Sequence, residues 1–322
     1  MIKKWNFKEK QEEKIFLPAI IQSTVIESIR KNEIIETVEA EEIIETVETV
    51  EVVENSFNWE VEECPIYDKN GNKIEGFKQI RRNDNFNTLN VCKQSYTPTT
   101  NEVLIDTVTK ISQLTGFEIV DFKEFKNGNI VIGQLKNEGF NIGDFNFNSY
   151  MIVGNSHNYQ TSFFIGEHNT MIRCHNQFAA IQQGLKAYHT STNEQQIKNI
   201  IDFYKNYSLL QNATIEILSR LQLAKVTESV KKNLIFNLLE IKPLTNFDEL
   251  STRKQNMFTD LENSINNEVK AIGNNAHALF NGVTYWTTHI RQEKEKLYSQ
   301  FFGSSNNYNQ RAMNFLRHEV LN

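Results

Sequence analysis

The chain has 322 residues, of which 39% are hydrophobic and 23% charged, and its formal net charge is -6. This length suffices for one large or two ordinary domains, and the composition is that of a globular protein. No apolar run approaches the ~20 residues that a membrane helix needs, so we expect no membrane span. The three cysteines lie far apart, as in proteins of reducing compartments. The N-terminal residues lack the apolar core of a signal peptide, so we expect a cytoplasmic protein. The abundance of Asn, Ile and Lys suggests an AT-rich genome, such as that of a phage or a low-GC bacterium.

Residues 1–56 combine one predicted helix with an acidic arm. Residues 33–54 contain nine glutamates, mostly at every third position, and no basic residue. A period of three matches neither a strand nor a helix, and the intervening β-branched residues favour extended backbone. Three interpretations are open: a flexible linker, a mimic of nucleic-acid charge, or an arm that pairs with another subunit. The rest of the chain is mildly basic, with 34 basic and 31 acidic residues.

Residues 57–190 show the alternation and the turn signals of antiparallel strands. Asn70-Gly71 and Asn127-Gly128 lie between alternating segments, and such pairs favour hairpin turns. In residues 101–116 apolar side chains recur on one face, which predicts a helix. A second helical pattern is predicted from Phe178, directly after a strand and a polar turn.

Residues 191–322 are predicted to be mostly helical, because apolar residues recur there with helical spacing. The clearest predicted helices are 213–226, 229–239, 253–272, 275–297 and 309–320. The predicted fold class is therefore α+β: a central antiparallel sheet with packed helices, followed by a helical C-terminal part. The expected divisions of the chain are 1–56, 57–190 and 191–322, with the last packed on the second.

Basic and aromatic side chains are interleaved on two adjacent predicted strands between Phe77 and Tyr96, with Phe86 between them. Neutralisation of phosphates combined with stacking of bases is what sequence-tolerant binding of single strands requires. A second anion site is predicted where a strand gives way to a helix. The alternative is that these are ordinary solvated strand residues and that Tyr96 is a core residue. The predicted nucleic-acid site consists of Lys78, Arg81, Arg82, Lys93, Tyr96, Arg173 and Asn176.

Other chemistries have weaker support in the sequence. No metal-ligand spacing such as C-x-x-C or H-E-x-x-H occurs, and neither a P-loop nor a G-x-G-x-x-G run is present. We therefore expect no metal, no cofactor and no catalysis. The candidate residues for a metal or nucleophile site are His157, His168, Cys174, His175 and His189, and those for a nuclease site are Asp84, Glu102, Asp121 and Glu124.

Several separate motifs follow one another in the order of a known family. They are NWEVEECPIY at 58–67, RN at 82–83, LNVCKQSYTPTTNE at 89–102, NSHN at 155–158, IRCHNQF at 172–178, HT at 189–190 and FNGVTYWTTHIR at 280–291. Together they resemble the phage/plasmid-like proteins grouped as domain of unknown function 932. The resemblance covers about residues 57–316, with departures at Asn90, Tyr159, Gln177 and Trp286. It implies a gene of a mobile element and no established chemistry.

The expected function is non-enzymatic binding of single-stranded DNA by a phage or plasmid protein, extending to strand annealing in recombination. A small antiparallel sheet with a helix and basic residues is similar in architecture to phage annealing proteins. The alternative is a phage structural or assembly protein that self-associates, or binds a partner, through its N-terminal arm. In either case we expect a homo-oligomer.

Overall fold

Two antiparallel sheets contain the strands that the structure describes. The computed structural model describes residues 57–158, 161, 163–171, 175–179, 186–187, 207–243 and 245–321. These residues belong to one compact unit, Val52–Asn322. The predicted helix and acidic arm in residues 1–56, and the predicted site residue Arg173, lie outside the described residues.

The smaller sheet has three strands in sequential order. They are β1 (Val61–Tyr67), β2 (Lys73–Arg82) and β3 (Thr88–Lys93). The predicted turn between β1 and β2 is confirmed, with Gly71 at a φ of 84°. The carboxylate of Asp68 accepts backbone hydrogen bonds from Asn70 and Asn72 there, and the pKa of Asp68 is lowered, chiefly by the bond from Asn72.

The larger sheet has seven strands, five of them in the order β10-β8-β7-β5-β4, while β6 pairs with β7 and β9 with β8. The predicted hairpin at Asn127-Gly128 is confirmed as the turn between β4 and β5. The strands are β4 (Glu118–Phe125), β5 (Ile130–Lys136), β6 (Phe140–Ile142), β7 (Phe145–Ser156), β8 (Phe163–Met171), β9 (Gln177–Ala179) and β10 (Lys186–Ala187).

Helices cover both faces of the central strands. On one face lies α1 (Asn101–Thr115), the predicted helix, which Thr100 caps at its start and Gly116 ends in a left-handed conformation. Its apolar side packs on residues of β5 and β7 such as Val131 and Val153. The opposite face of the sheet packs against Phe301 in the C-terminal part. Burial on two sides explains why β7 is nearly continuously buried in its second half.

The predicted helix from Phe178 is wrong at its start, because Gln177–Ala179 forms strand β9 on the edge of β8. His175, at a φ of 56°, makes the tight turn between them, and the amide of Met171 donates to the carbonyl of Asn176. Pairing with an open strand edge outweighed the amphipathic spacing of this segment. The rest of the predicted helix, except Lys186–Ala187 in β10, lies outside the described residues.

The described residues after 206 are mainly helical, and the α+β fold class is confirmed. The single predicted helix 275–297 is wrong in one respect: it is divided. A π-helical turn follows its first part, and Arg291 then has extended backbone. The helices are α2 (Tyr207–Leu223), α3 (Glu228–Leu239), α4 (Thr252–Ile272), α5 (Ala276–Tyr285), α6 (Lys296–Phe302) and α7 (Ser304–Leu316), with a 3-10 turn at Phe247–Glu249 and π turns at Trp286–Ile290 and Arg317–Leu321.

The division at Arg291 follows from tertiary contacts. The Arg291 guanidinium lies over the rings of Trp286 and Tyr308, at 5.2 and 4.6 Å, and pairs with Glu293 at 2.7 Å. These contacts hold the chain where it leaves the helix axis. The helical part shares one core cluster with the sheet end at Phe145, so it packs directly on the strands. The predicted division at residue 190 stays a prediction.

Candidate nucleic-acid interface

The alternation of β2 sorts its basic residues onto two faces. Lys78, Ile80 and Arg82 are buried, whereas the intervening side chains point to the other side of the sheet. Neighbouring positions on β3 continue that second side, since Phe77 pairs with Lys93. We call this side the outer face; it consists of Phe77, Gln79, Arg81, Thr88, Val91 and Lys93.

The outer face exposes large apolar side chains next to cations. Phe77 is 45% and Val91 56% exposed, and Lys93 is also exposed. Phe86, in the loop between β2 and β3, is 61% exposed, and the guanidinium of Arg81 lies over its ring at 4.9 Å. Both aromatic residues keep about half of their surface exposed, and this apolar surface is available to a ligand.

The backbone of Phe86 has a φ of 60°, in the left-handed region that is uncommon for a bulky residue. Gly or Asn would adopt this conformation with less strain. A strained position costs of order 1 kcal/mol and is often found at functional sites. In this conformation the Phe86 ring lies beside Arg81 of the outer face.

Arg81 keeps partial access to solvent. Its Nε pairs with Glu62 Oε1 at 2.5 Å, and its side chain is 32% exposed. An ion pair of this kind is worth about 0–1 kcal/mol, so a phosphate can replace the carboxylate at little cost. Of the predicted basic residues that the structure describes, Arg81 and Lys93 therefore lie on this accessible face, four positions apart in the register of β2 and β3.

Arg82 is differently placed, and its predicted contact with phosphate is at odds with its burial. Its guanidinium binds both carboxylate oxygens of Asp84, at 2.9 and 2.8 Å, and Glu124 at 3.0 Å. It also lies over the Trp59 ring at 4.0 Å, and the indole Nε1 donates to Glu124 at 2.7 Å. The hydrogen bond with Asp84 raises the pKa of Arg82 and lowers that of Asp84. Arg82 thus joins the two sheets.

Arg82→Ala is expected to lower the free energy of unfolding by about 2–3 kcal/mol, because it removes a buried cation from its carboxylate partners and from the Trp59 ring. Arg81→Ala, the neighbour in a surface ion pair, should cost less than about 1 kcal/mol. Urea denaturation of both variants measures the difference. Equal stabilities of the two variants would contradict the structural role of Arg82.

Lys78 and Tyr96 also lie on the buried side of the sheet, away from the predicted ligand. The Lys78 amine pairs with Glu63 at 2.6 Å, and its side chain is only 7% exposed. Tyr96 packs with Ile80 and Cys92, so it is a core residue, as the alternative interpretation expected. We leave both residues out of the outer face.

Asn176 belongs to a buried polar network. Its Nδ2 donates to Oδ1 of Asn281 at 2.7 Å, and Asn281 in turn donates to Glu268 at 2.5 Å. These bonds tie the turn between β8 and β9 to α5. Asn176 is therefore occupied by the protein itself and is not presented to an anion.

Residues of the sequence motifs meet at the start of α1. Asn101 donates to the carbonyl of Trp59 at 2.9 Å, and its Oδ1 lies 3.1 Å from Nε2 of His157. The carboxylate of Glu60 accepts from the backbone amides of Asn101 and Glu102, at 2.8 and 3.0 Å. A carboxylate at a helix N-terminus satisfies otherwise unpaired amides. These motif residues thus join β1 and β7 to α1.

The residues weighed for other chemistry are dispersed. Among the described residues, no group of three or more His, Cys, Asp or Glu side chains has an arrangement that could hold a metal ion. Asp84 and Glu124 both bind Arg82, and Asp121 pairs with Lys123. His157 and His168 are buried, and Cys174 and His189 lie outside the described residues.

Sequence reasoning missed Val91 and left Phe77 and Phe86 out of the predicted site. A signal was available: Ile80 is the apolar residue in the middle of β2, and a strand that buries Ile80 must also bury Lys78 and Arg82. The pair Arg81-Arg82 cannot point to one face. Applying this alternation would have selected the residues of the outer face.

Comparison with known proteins gives a family but no function. A family model with the description Domain of unknown function (DUF932) matches residues 88–314, which is more than half of the chain. Searches of curated proteins and of solved structures gave no match. The matched range starts after Trp59 and Arg82, so the first two motifs lie outside it. In the part of the chain that the structure describes, no helix is long and apolar enough to cross a membrane.

Proposed function

We propose that this chain, which belongs to the DUF932 family, binds single-stranded nucleic acid on the outer face of its three-stranded sheet. One observation carries the proposal: the exposed rings of Phe77 and Phe86 lie on the same surface as Arg81 and Lys93. Exposed rings stack on bases of any sequence, and the cations neutralise phosphates.

Stacking supplies most of the affinity in this proposal. Each base stacked on an aromatic ring contributes about 1–3 kcal/mol. Electrostatic attraction is modest, since Arg81 shares its charge with Glu62 and the chain carries a net charge of -6. Paired bases within a duplex are already stacked on each other, so the outer face prefers unpaired strands.

The biological setting is part of the proposal. The motif order suggests a protein of a phage or plasmid that acts in the cytoplasm of its bacterial host, without cofactor or catalysis. Annealing of complementary strands requires that the Watson–Crick edges of the bound bases stay accessible, and a base that stacks on a ring by its face keeps this edge free. An open sheet face meets that requirement, and a homo-oligomer would align many such faces along one strand.

Fluorescence anisotropy with a labelled single strand tests the proposal. We expect a Kd of about 1–100 μM at low salt, with weaker binding to the matching duplex. Two phosphate contacts on a single strand predict a slope of about -1.4 for log K against log salt. A Kd weaker than about 100 μM at low salt would overturn the proposal.

The same surface supports a second candidate, self-association in an assembly. Val91 lies on β3, whose only strand partner among the described residues is β2, and it is 56% exposed. Exposed apolar side chains on an edge strand favour pairing with another chain. Light scattering with and without nucleic acid separates the candidates: a monomer that binds single strands excludes assembly through β3.

A further inference from the structure

A cleft of ≈ 460 Å³ opens at the far end of the three-stranded sheet. It lies where the pairing of β1 with β2 shifts register, between Pro65 and Tyr67. Its volume lies within the range of about 300–1,000 Å³ that is typical of small-molecule sites. The lining groups that matter chemically are Glu63, Tyr67, Lys73, Lys78 and Gln94.

The cleft contains a cation that the fold holds in place. The side chain of Lys78 is 7% exposed and pairs with Glu63 at 2.6 Å, whereas the Glu63 side chain is 43% exposed. The carboxylate is the solvent-exposed member of this pair and can turn into water, whereas the amine lies in the wall of the cleft. The fold already orders this ammonium, so an anion that replaces the Glu63 carboxylate binds a preorganised group.

The other lining groups suit a planar aromatic ligand. The Tyr67 ring is 58% exposed, so its face is open to stacking. Gln94 offers both a donor and an acceptor for the edge of a base. Lys73 lies at the same cleft with a 51% exposed side chain and pairs with Glu75 at 3.3 Å in a solvent-exposed contact. An aromatic ring, an amide and two ammonium groups together match a nucleotide.

From this arrangement we infer that the cleft binds one nucleotide, with its base on Tyr67 and its phosphate at Lys78 and Lys73. None of these residues belongs to the outer face, so the inference goes beyond single-strand binding there. The same chemistry has two sources, a free mononucleotide or the phosphorylated end of a strand.

The test is titration of the full chain with dAMP, followed by calorimetry or by the chemical shifts of the nucleotide. We expect saturable binding with a Kd below about 1 mM. Tyr67→Ala should weaken it about tenfold or more through lost stacking, whereas Tyr67→Phe, which keeps the ring, should not. Lys78→Met should weaken it to a similar degree, and Lys69→Met, an exposed lysine outside the cleft, is the matched control.

A second arm distinguishes the sources. If dAMP does not bind but a 5′-phosphorylated oligonucleotide binds more tightly than its unphosphorylated twin, and Tyr67→Ala removes that difference, the ligand is a strand end. If neither ligand shows a dependence on Tyr67, the inference is overturned. Tyr67 is exposed, so its replacement tests the cleft even if Lys78→Met fails to fold.

Failure of the inference and failure of the proposed function give different results. The variant Phe77→Ala/Phe86→Ala should lose binding of the unphosphorylated oligonucleotide and keep binding of dAMP. Tyr67→Ala should show the opposite pattern. Each of the two sites is therefore tested by a variant that leaves the other site intact.

Discussion

Replacement of both Phe77 and Phe86 by alanine is expected to weaken the binding of single strands by about 30-fold or more. The loss of one base-stacking contact costs about 1–3 kcal/mol. Two lost contacts at the lower end of that range give about 2 kcal/mol, and about 1.4 kcal/mol is tenfold in Kd. Fluorescence anisotropy at one fixed salt concentration measures the change.

The fold should tolerate this replacement, because both rings are largely exposed. Phe86→Asn provides a second variant, since asparagine adopts a positive φ more readily than phenylalanine. Phe247→Ala removes a ring of similar exposure, 44%, outside the sheet and should leave the Kd unchanged. A double variant that binds as tightly as the parent would remove the outer face from the site.

A fall in pH from about 7.5 to about 5 is expected to reduce the free energy of unfolding by several kcal/mol. Burial lowers the pKa of His168 and of His277 to about 4 each, below the ordinary value of about 6.5. Between these values the unfolded chain binds protons that the folded chain does not. The two histidines therefore contribute their full stabilisation above about pH 6.5, and this contribution is lost as the pH falls towards 4. At pH 5 each histidine has reduced the free energy of unfolding by about 2 kcal/mol.

Glu167 acts in the opposite direction. Burial raises its pKa, so the folded chain holds a proton that the unfolded chain has released. Its contribution is present at low pH and is lost as the pH rises through the raised pKa. Stability as a function of pH is therefore expected to have a maximum.

Chemical denaturation at both pH values tests the histidine prediction. His168→Gln and His277→Gln should each flatten the pH dependence, because glutamine does not titrate. His318→Gln replaces a histidine whose side chain is 80% exposed and should leave the dependence unchanged. Because Glu167 acts in the opposite direction, the decisive comparison is with the parent: a pH dependence that stays the same in His168→Gln and in His277→Gln would contradict the prediction.

The candidate site was only partly predictable from sequence. The interleaved aromatic and basic residues predicted a site on β2 and β3, and two of its members, Arg81 and Lys93, lie on the accessible face. The side of the sheet that each neighbour faces depends on which side packs against the remainder of the fold. Arg82 is buried because its guanidinium contacts Trp59, Asp84 and Glu124. Trp59 and Glu124 are distant from it in sequence.

The fold, like the candidate site, was predictable from sequence only in part. Local chemistry was sufficient for the turns at Asn70-Gly71 and Asn127-Gly128 and for α1 with its cap at Thr100, because the backbone preferences of these residues act within a few positions. The α+β class also followed from periodicity, since each period leaves one side apolar.

Tertiary structure decided the rest. Gln177–Ala179 became a strand because β8 offered an open edge, and the chain left its helix at Arg291 because Trp286 and Tyr308 receive the guanidinium. Tyr308 lies outside the predicted helix 275–297, and the open edge of β8 is likewise not visible in the local pattern. Contacts between distant segments outweigh local propensities, which are less than about 1 kcal/mol per residue. The sequence therefore predicts most of the helices and strands, whereas tertiary contacts determine where they end and which of their faces is buried.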